Sequence, residues 1–405
     1  MKYIDGGVCA AKGFRAGGIS AGLKNSGAFD LALIVSETQA VSAAVFTKNV
    51  VRAAPLEVTK EHLSDGSLRA VITNSGNANA CAPNEIENAE KMCQMTAKAL
   101  NIDAENVAVA STGVIGQSLT AKMPLIEAGI KKLATDISPT GSFDAAKAIM
   151  TTDTFEKECA VEFLVGEHVV HIGAIAKGSG MIHPNMGTLL SFITTDICIS
   201  PQLLRDALKY AVSKSFNRVS VDGDTSTNDT CLIMAGGMAG NAEITEKGAD
   251  YDTFLNALVH VCVYLARLIA ADGEGAGRLI TCVVKNTASE AIGETLAKSV
   301  ISSSLFKAAI FGSDANWGRV LCAMGYSGAD FLPDRVSVSF ESEFGSIQVC
   351  EDGIGLEFDE KLAKEILGAK EIIVIVDLHS GDASCTCWGC DLTYDYVRIN
   401  GDYRS

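Results

Sequence analysis

No stretch of this sequence concentrates lysine or arginine, and 49 acidic residues outweigh 33 basic ones, giving a formal net charge of −16 over 405 residues. An acidic surface without a basic patch does not attract phosphate backbones or anionic lipid, so neither a nucleic-acid nor a membrane partner is expected. The first ten residues, Met1 to Ala10, hold no continuous apolar segment and do not read as a secretory signal. The longest apolar stretch, Phe254 to Ala271, contains His260, Tyr264 and Arg267 and follows Asp250 and Asp252, which marks a buried helix rather than a membrane span. Thirteen cysteines, an odd number with no export signal before them, fit reduced thiols of a cytosol better than a disulfide framework. A cytoplasmic protein acting on small substrates is expected.

The common signatures of metal, phosphate and serine chemistry are also missing. Asp222, Asp224 and Asn228 have the near-alternating spacing of a calcium loop, but Thr227 stands where the turn glycine belongs and Ile233 where the bidentate glutamate belongs. The turn Gly273 to Gly277 resembles a phosphate cradle, yet it follows a helix and lacks the Lys-Ser/Thr that a phosphate loop needs, so a helix C-cap cluster is expected. Cys387-x-x-Cys390, with His379 upstream, has neither a second cysteine pair nor a thioredoxin-like setting, and no metal site is expected there. The other histidines form no H-E-x-x-H pair, and no G-x-S-x-G elbow occurs.

What is present is a chain that is 48% hydrophobic and long enough to bury a large core in two or three domains. Strands are predicted at Leu31–Val35, Ser42–Phe46, Leu68–Thr73 and Val107–Thr112. Helices are predicted from Glu85 to Leu100, from Leu119 to about Thr135, and from Phe143 to Met150. Cys159–Val165 and His168–Ala176 read as a hairpin around Gly166-Glu167. Ser200 and Pro201 read as the N-cap and first residue of a helix. Further strands are predicted at Arg218–Val221, Thr230–Met234, Val336–Phe340 and Ile372–Val376, and the chain from about Leu279 reads as a partly separate C-terminal unit. Strands and helices do not alternate with the regularity of a doubly wound sheet, so a layered α+β architecture is expected.

One stretch organises the rest. Ala176-Lys-Gly-Ser-Gly-Met-Ile-His-Pro-Asn-Met-Gly-Thr188 runs into the apolar segment Leu189 to Asp196, so a loop of small residues feeds a buried strand. Locally this is a common loop-to-strand junction. It also has the layout for self-cleavage at Gly187-Thr188 by an N-to-O acyl shift, after which Thr188 would be an N-terminal nucleophile activated by its own α-amine. Four polar, glycine-bearing loops accompany it: Thr73–Asn79, Ser111–Gly113, Asp222–Asp229 and Asp272–Arg278. Each is a solvated turn on its own, and their number favours a shared site.

Taken together, Lys177 to Leu190, Ser111-Thr-Gly-Val-Ile-Gly116, Val221 to Thr230 and Trp388 to Asn400 resemble the ornithine acetyltransferase family of arginine biosynthesis, whose members are also called glutamate N-acetyltransferases. The resemblance spans nearly the whole chain. It implies the layered fold of self-cleaving N-terminal-nucleophile amidases and ornithine acetyltransferases. It also implies a cut between Gly187 and Thr188 into an alpha chain, 1–187, and a beta chain, 188–405. Residues 188–278 would complete the catalytic core and about 279–405 would form a C-terminal α/β unit. Two alpha and two beta chains would assemble as a heterotetramer.

By the same resemblance Thr188 carries acetyl from N-acetylornithine to glutamate, and Thr112 and Gly113 donate to the oxyanion. Thr154, Lys177, Thr188, Glu274, Asn400 and Ser405 bind substrate. The charges suit Lys177 to a substrate carboxylate and Glu274 to the ornithine ammonium. No resident cofactor is implied; acetyl-CoA enters only as an alternative donor, which would make the enzyme bifunctional. The sequence departs from the family at Gly187, usually Ala, and at Gly275-Ala-Gly-Arg278, usually Gly-Ala-Thr-Lys; Cys385 and Cys387 are not family features. Two other readings stay open: an N-terminal-nucleophile aminopeptidase or amidase, in which water completes the turnover, and a non-catalytic protein with an inert Gly-Thr turn.

Overall fold

A computed structural model describes residues 1–183 and 189–402. In chain order its strands are β1 (Lys2–Tyr3), β2 (Phe14–Ile19), β3 (Leu31–Phe46), β4 (Ser67–Ser75), β5 (Val107–Thr112), β6 (Lys157–Val165), β7 (His168–Lys177) and β8 (Leu190–Thr195). They continue as β9 (Val219–Ser220), β10 (Thr230–Ala235), β11 (Leu279–Thr287), β12 (Ser337–Ser342), β13 (Gly345–Glu351), β14 (Ile354–Gly355), β15 (Glu371–Asp377) and β16 (Ala383–Cys390). Among the described residues they form two mixed sheets. One runs β1-β6-β7-β8-β10-β3-β4-β5 with β2 also on β3, the other β14-β13-β12-β15-β11-β16-β9. With helices layered on both, the architecture is α+β.

The helix Ala249–Ala271 lies between the sheets, touching β6 and β7 of the first and β9, β11 and β16 of the second. It is the one described helix long and apolar enough to cross a membrane. Its Phe254, Leu258, Val261, Leu265 and Ile269 recur at helical spacing and are fully buried in the same core as β7 and β8. At roughly 1.5–3 kcal/mol for each such side chain, this stripe anchors one sheet to the other. The helix Pro201–Lys214 shares its layer. Glu85–Leu100 packs over β4 and β5 and Met123–Asp136 over β2 and β3, while Ser142–Ile149 covers β2 and β3 from the other side, so that Gly17 meets Leu133 and Gly18 meets Asp144. A separate core cluster, from Ile280 to Cys387, fills the second sheet and its helices.

Several predicted elements differ in extent. Leu31–Val35 and Ser42–Phe46 are the two ends of one strand. The polar residues between them fall at an irregularity in the pairing with β4, and β3 exchanges β2 for β10 as its other neighbour along its length. The helix expected at Leu119 starts at Met123 after a 3-10 turn, because Pro124 lacks an N–H and fits only a first helical turn. Pro201 opens its helix as predicted, but the Ser200 side chain makes no capping bond; its carbonyl accepts from Leu204 N at 3.0 Å. The hairpin at Gly166-Glu167 forms with Val165 opposite His168, Gly166 taking φ +58°.

Candidate active site

The four polar loops meet. Asn228 joins three of them, its amide donating to Ala78 O at 2.6 Å and to Ser111 O at 2.9 Å. Ser111 Oγ donates to Asn74 Oδ1 at 2.6 Å, and Asn74 Nδ2 donates to Asn77 O at 2.9 Å. The fourth loop arrives through Glu274, whose N–H donates to Ser179 O at 3.1 Å. The Asp222 carboxylate accepts the N–H groups of Met181 and Ile182 at 2.6 and 2.9 Å, tying the third loop to the segment that leads toward residue 188.

Between the loops lies a cavity of about 140 Å³ lined by Thr112, Gly113, Lys177, Glu274 and Asn400, five of the residues singled out from the sequence. Thr151, Thr152, Gly180, Met181, Thr227 and Asn228 complete much of the wall. A larger cavity of about 670 Å³, beside Met1, Leu164 and Val169, contains none of the predicted residues. Gly187, Thr188 and Ser405 lie outside the described residues. Their neighbour Leu189 is buried, and its carbonyl accepts from Thr230 N at 2.9 Å.

Lys177 ends β7 and Glu274 follows the long helix; each is only 7% exposed. They form no ion pair with each other, so a cation and an anion line one cavity. Asn400, on the C-terminal helix Tyr394–Asp402, donates to Glu274 Oε2 at 2.7 Å. Gly180 allows this arrangement: a Cβ there would stand 2.3 Å from the Glu274 carboxylate. Thr154 takes another place. It does not line the cavity, and its hydroxyl and N–H both bond the Asp272 carboxylate, at 2.5 and 3.0 Å.

Thr112 and Gly113 stand at the end of β5. Among the described residues neither the Thr112 hydroxyl nor the Gly113 N–H has a partner, which leaves two donors open. Gly113 sits at φ +131°, and a Cβ would fall 2.5 Å from Asn77 N and 2.6 Å from Gly76 C. Gly113→Ala should therefore lower unfolding free energy by about 2 kcal/mol or more and remove activity, measured by denaturant melts beside turnover. A wild-type melt would show that the loop yields.

The surrounding charges are strongly perturbed. Burial would raise Asp153, but Lys177 and Lys157 outweigh it and push the carboxyl down to about 2. Burial drives Asp229 well above the carboxylate range despite Ser226 and Lys177, and its Oδ2 has no hydrogen-bond partner among the described residues. Burial, then Asp222 and Glu274, raise the Tyr396 phenol. Burial lowers His183, whose Nδ1 is 3.0 Å from Ser220 Oγ.

Sequence reasoning missed Asp153, Lys157 and Asp272. The charged residues at 153–158 carry no motif, and only burial distinguishes Asp153 and Lys157 among them. The sequence sets Cys387-x-x-Cys390 aside as a metal site for want of a second cysteine pair, and the structure adds a geometric reason. Three residues apart on β16, the two thiols face opposite sides of the sheet, Cys387 in the C-terminal core and Cys390 in the core of the long helix, so they cannot share an ion.

Comparison with known proteins places the chain in a family. Residues 15–405 match the model of the ArgJ family. The chain is 50% identical over 406 residues, all of both chains, to the arginine biosynthesis bifunctional protein ArgJ of Caldanaerobacter subterraneus subsp. tengcongensis. It is 45% identical over 413 residues, again all of both, to the glutamate N-acetyltransferase of Methanocaldococcus jannaschii. A solved chain of the arginine biosynthesis bifunctional protein argJ of Bacillus halodurans is 41% identical, with TM-score 0.50; 98% of that chain is matched by 52% of this one.

Proposed function

The chain belongs to the ArgJ family, and on that basis we propose that it is a glutamate N-acetyltransferase that moves acetyl from N-acetylornithine to glutamate through an acetyl-Thr188 intermediate. The observation that carries the reading is the pair of buried, mutually unpaired charges, Lys177 and Glu274, in one cavity with the free donors of Thr112 and Gly113. Among the described residues neither side chain has a salt bridge, and a buried charge without its counter-charge is costly, so the cavity suits a ligand bringing the complementary carboxylate and ammonium. N-acetylornithine has both.

Thr188 first acts on its own chain: Oγ attacks the Gly187 carbonyl, the amide becomes an ester, and water releases the Gly187 carboxylate and a free Thr188 α-amine. That amine, with an ordinary pKa of about 7.7–8.0, is partly unprotonated near neutrality and can take the Oγ proton, which an internal amide cannot do. Oγ then attacks the acetyl carbonyl, the oxyanion rests on Thr112 and Gly113, and ornithine departs with the proton. The α-amine of glutamate attacks the acetyl ester and restores the hydroxyl. One oxyanion donor lowers such a barrier by about 2.7–4 kcal/mol. Lys177 holds the substrate carboxylate and Glu274 the ornithine ammonium; Asn400 and Ser405 join them by family resemblance, whereas Thr154, a substrate residue by the same resemblance, stands behind the cavity wall on Asp272.

The proposed cut divides the chain into 1–187 and 188–405, with 188–278 in the catalytic core and about 279–405 a C-terminal unit. The first sheet supports cohesion of the two products, since β7 on one side pairs with β8 on the other from Ile172–Thr195 to Lys177–Leu190. The length match to the solved Bacillus halodurans chain also fits a protein that exists in two pieces. Assembly of two alpha and two beta chains in the cytoplasm completes the proposal.

The test incubates purified protein with N-acetylornithine, with and without glutamate. Acetylglutamate formed in step with ornithine supports transfer. Acetate release indifferent to glutamate would instead support the aminopeptidase or amidase reading, and an uncut, inactive chain the inert one. The relatives' description as bifunctional supports a second activity, for which acetyl-CoA is the donor to try in the same assay.

A further inference from the structure

A second buried cation beside the site, Lys157, has no part in the function as proposed. It opens β6 and stands opposite Ala176, next to Lys177. Its side chain is 0% exposed, and Nζ lies 2.8 Å from Asp153 Oδ1 and 2.5 Å from Asp272 Oδ2. Placing a cation and two anions in the interior desolvates all three, and apolar residues of similar volume would hold a fold at least as well. The arrangement therefore calls for a reason beyond stability.

The two carboxylates are bonded to the cavity wall. Asp153 accepts the N–H of Gly178 at 2.8 Å through Oδ1 and that of Thr151 at 3.0 Å through Oδ2. Asp272 accepts from Thr154, and its carbonyl accepts the Ser179 hydroxyl at 2.7 Å. Ser179 O in turn accepts the Glu274 N–H. One ammonium thus joins the three segments that carry Thr151, Lys177 and Glu274 into the cavity. Under the proposed cut Lys157 and Asp153 belong to one product and Asp272 and Glu274 to the other, so this ion pair would bridge two chains.

We infer that Lys157 is a positioning residue for acetyl transfer: through Asp153 and Asp272 it holds Lys177 and Glu274 at the spacing that a zwitterionic amino-acid substrate bridges. The inference rests on the proposed function. Because Lys177 and Glu274 grip the substrate away from the reacting carbonyl, their displacement weakens ground state and transition state alike, which appears in KM rather than kcat.

The test compares wild type with Lys157→Met/Asp272→Asn, which removes the cation together with one anion, and with Ser179→Ala, which removes only the loop's bond to Asp272. Steady-state kinetics are read beside the thermal midpoint. The KM for N-acetylornithine is expected to rise about tenfold in the double variant and about threefold in Ser179→Ala, with kcat changed by less than about twofold. A purely structural pair would lower the midpoint and leave the KM of folded enzyme unmoved; that result in both variants overturns the inference. Should the double variant fail to fold, Ser179→Ala decides alone, and an unchanged KM overturns it. Wild-type protein without transfer overturns the proposed function and this inference with it, whereas active wild type beside unmoved KM values overturns the inference alone.

Discussion

Thr188→Ala is expected to yield a single uncut chain of 42.4 kDa with no acetyl transfer. Both losses have one cause. Without Oγ nothing attacks the Gly187 carbonyl, so the peptide bond survives; with the bond intact, residue 188 has an amide in place of the α-amine that serves as base. A side chain that acts as nucleophile in both steps leaves no residual route, and the fall in turnover should approach the background set by the oxyanion donors and binding alone. Intact mass and the two-substrate assay read the outcomes independently. A Thr188→Ala protein that still splits at Gly187 would refute the mechanism, and one that stays whole but transfers acetyl would move the nucleophile elsewhere. Thr188→Ser should keep both activities, because it retains the hydroxyl.

Glu274→Gln should have the next largest effect, and a selective one. The amide keeps the shape of the side chain and an oxygen to accept from Asn400 Nδ2, which now bonds Oε2 at 2.7 Å, so the wall should stand. What disappears is the charge facing the ornithine ammonium. A hydrogen bond to a charged group contributes about 1.5–3 kcal/mol, which corresponds to roughly 10- to 150-fold in kcat/KM for N-acetylornithine. Self-cleavage involves no ornithine and should proceed as in wild type. Equal loss of cleavage and of N-acetylornithine use would sink the assignment of Glu274 to the ammonium. Glutamate, whose side chain is an anion, should suffer less or gain, and measuring its half-reaction separately from acetyl-enzyme supplies the contrast.

Much of the architecture was legible in the sequence. The buried helix through Phe254 and Leu258, the helix opened by Pro201, and the buried strand after residue 188 all declared themselves by spacing and by their punctuating residues. The errors followed the limits of the same signals. Polar residues at 36–39 read as a break, whereas in β3 they lie where a long strand changes partners, and that change depends on β10, far along the chain. The site divided in the same way. Thr112, Gly113, Lys177, Glu274 and Asn400 were named from their motifs, while Lys157, in a stretch of mixed charge, carried no local mark of burial.

By itself the sequence determined the residue types, the periodicities, and the motifs that place the chain in its family. These rest on interactions within a turn or two of helix or a few residues of strand, where spacing alone dictates which side chains share a face. Only the tertiary structure decided that four loops form one cavity, that Asn228 bonds Ala78 across 150 residues, and that Lys157 lies between Asp153 and Asp272, the latter 115 residues away. Contacts at that separation are set by the order of strands in a sheet and the layering of helices upon it, and no local propensity encodes them.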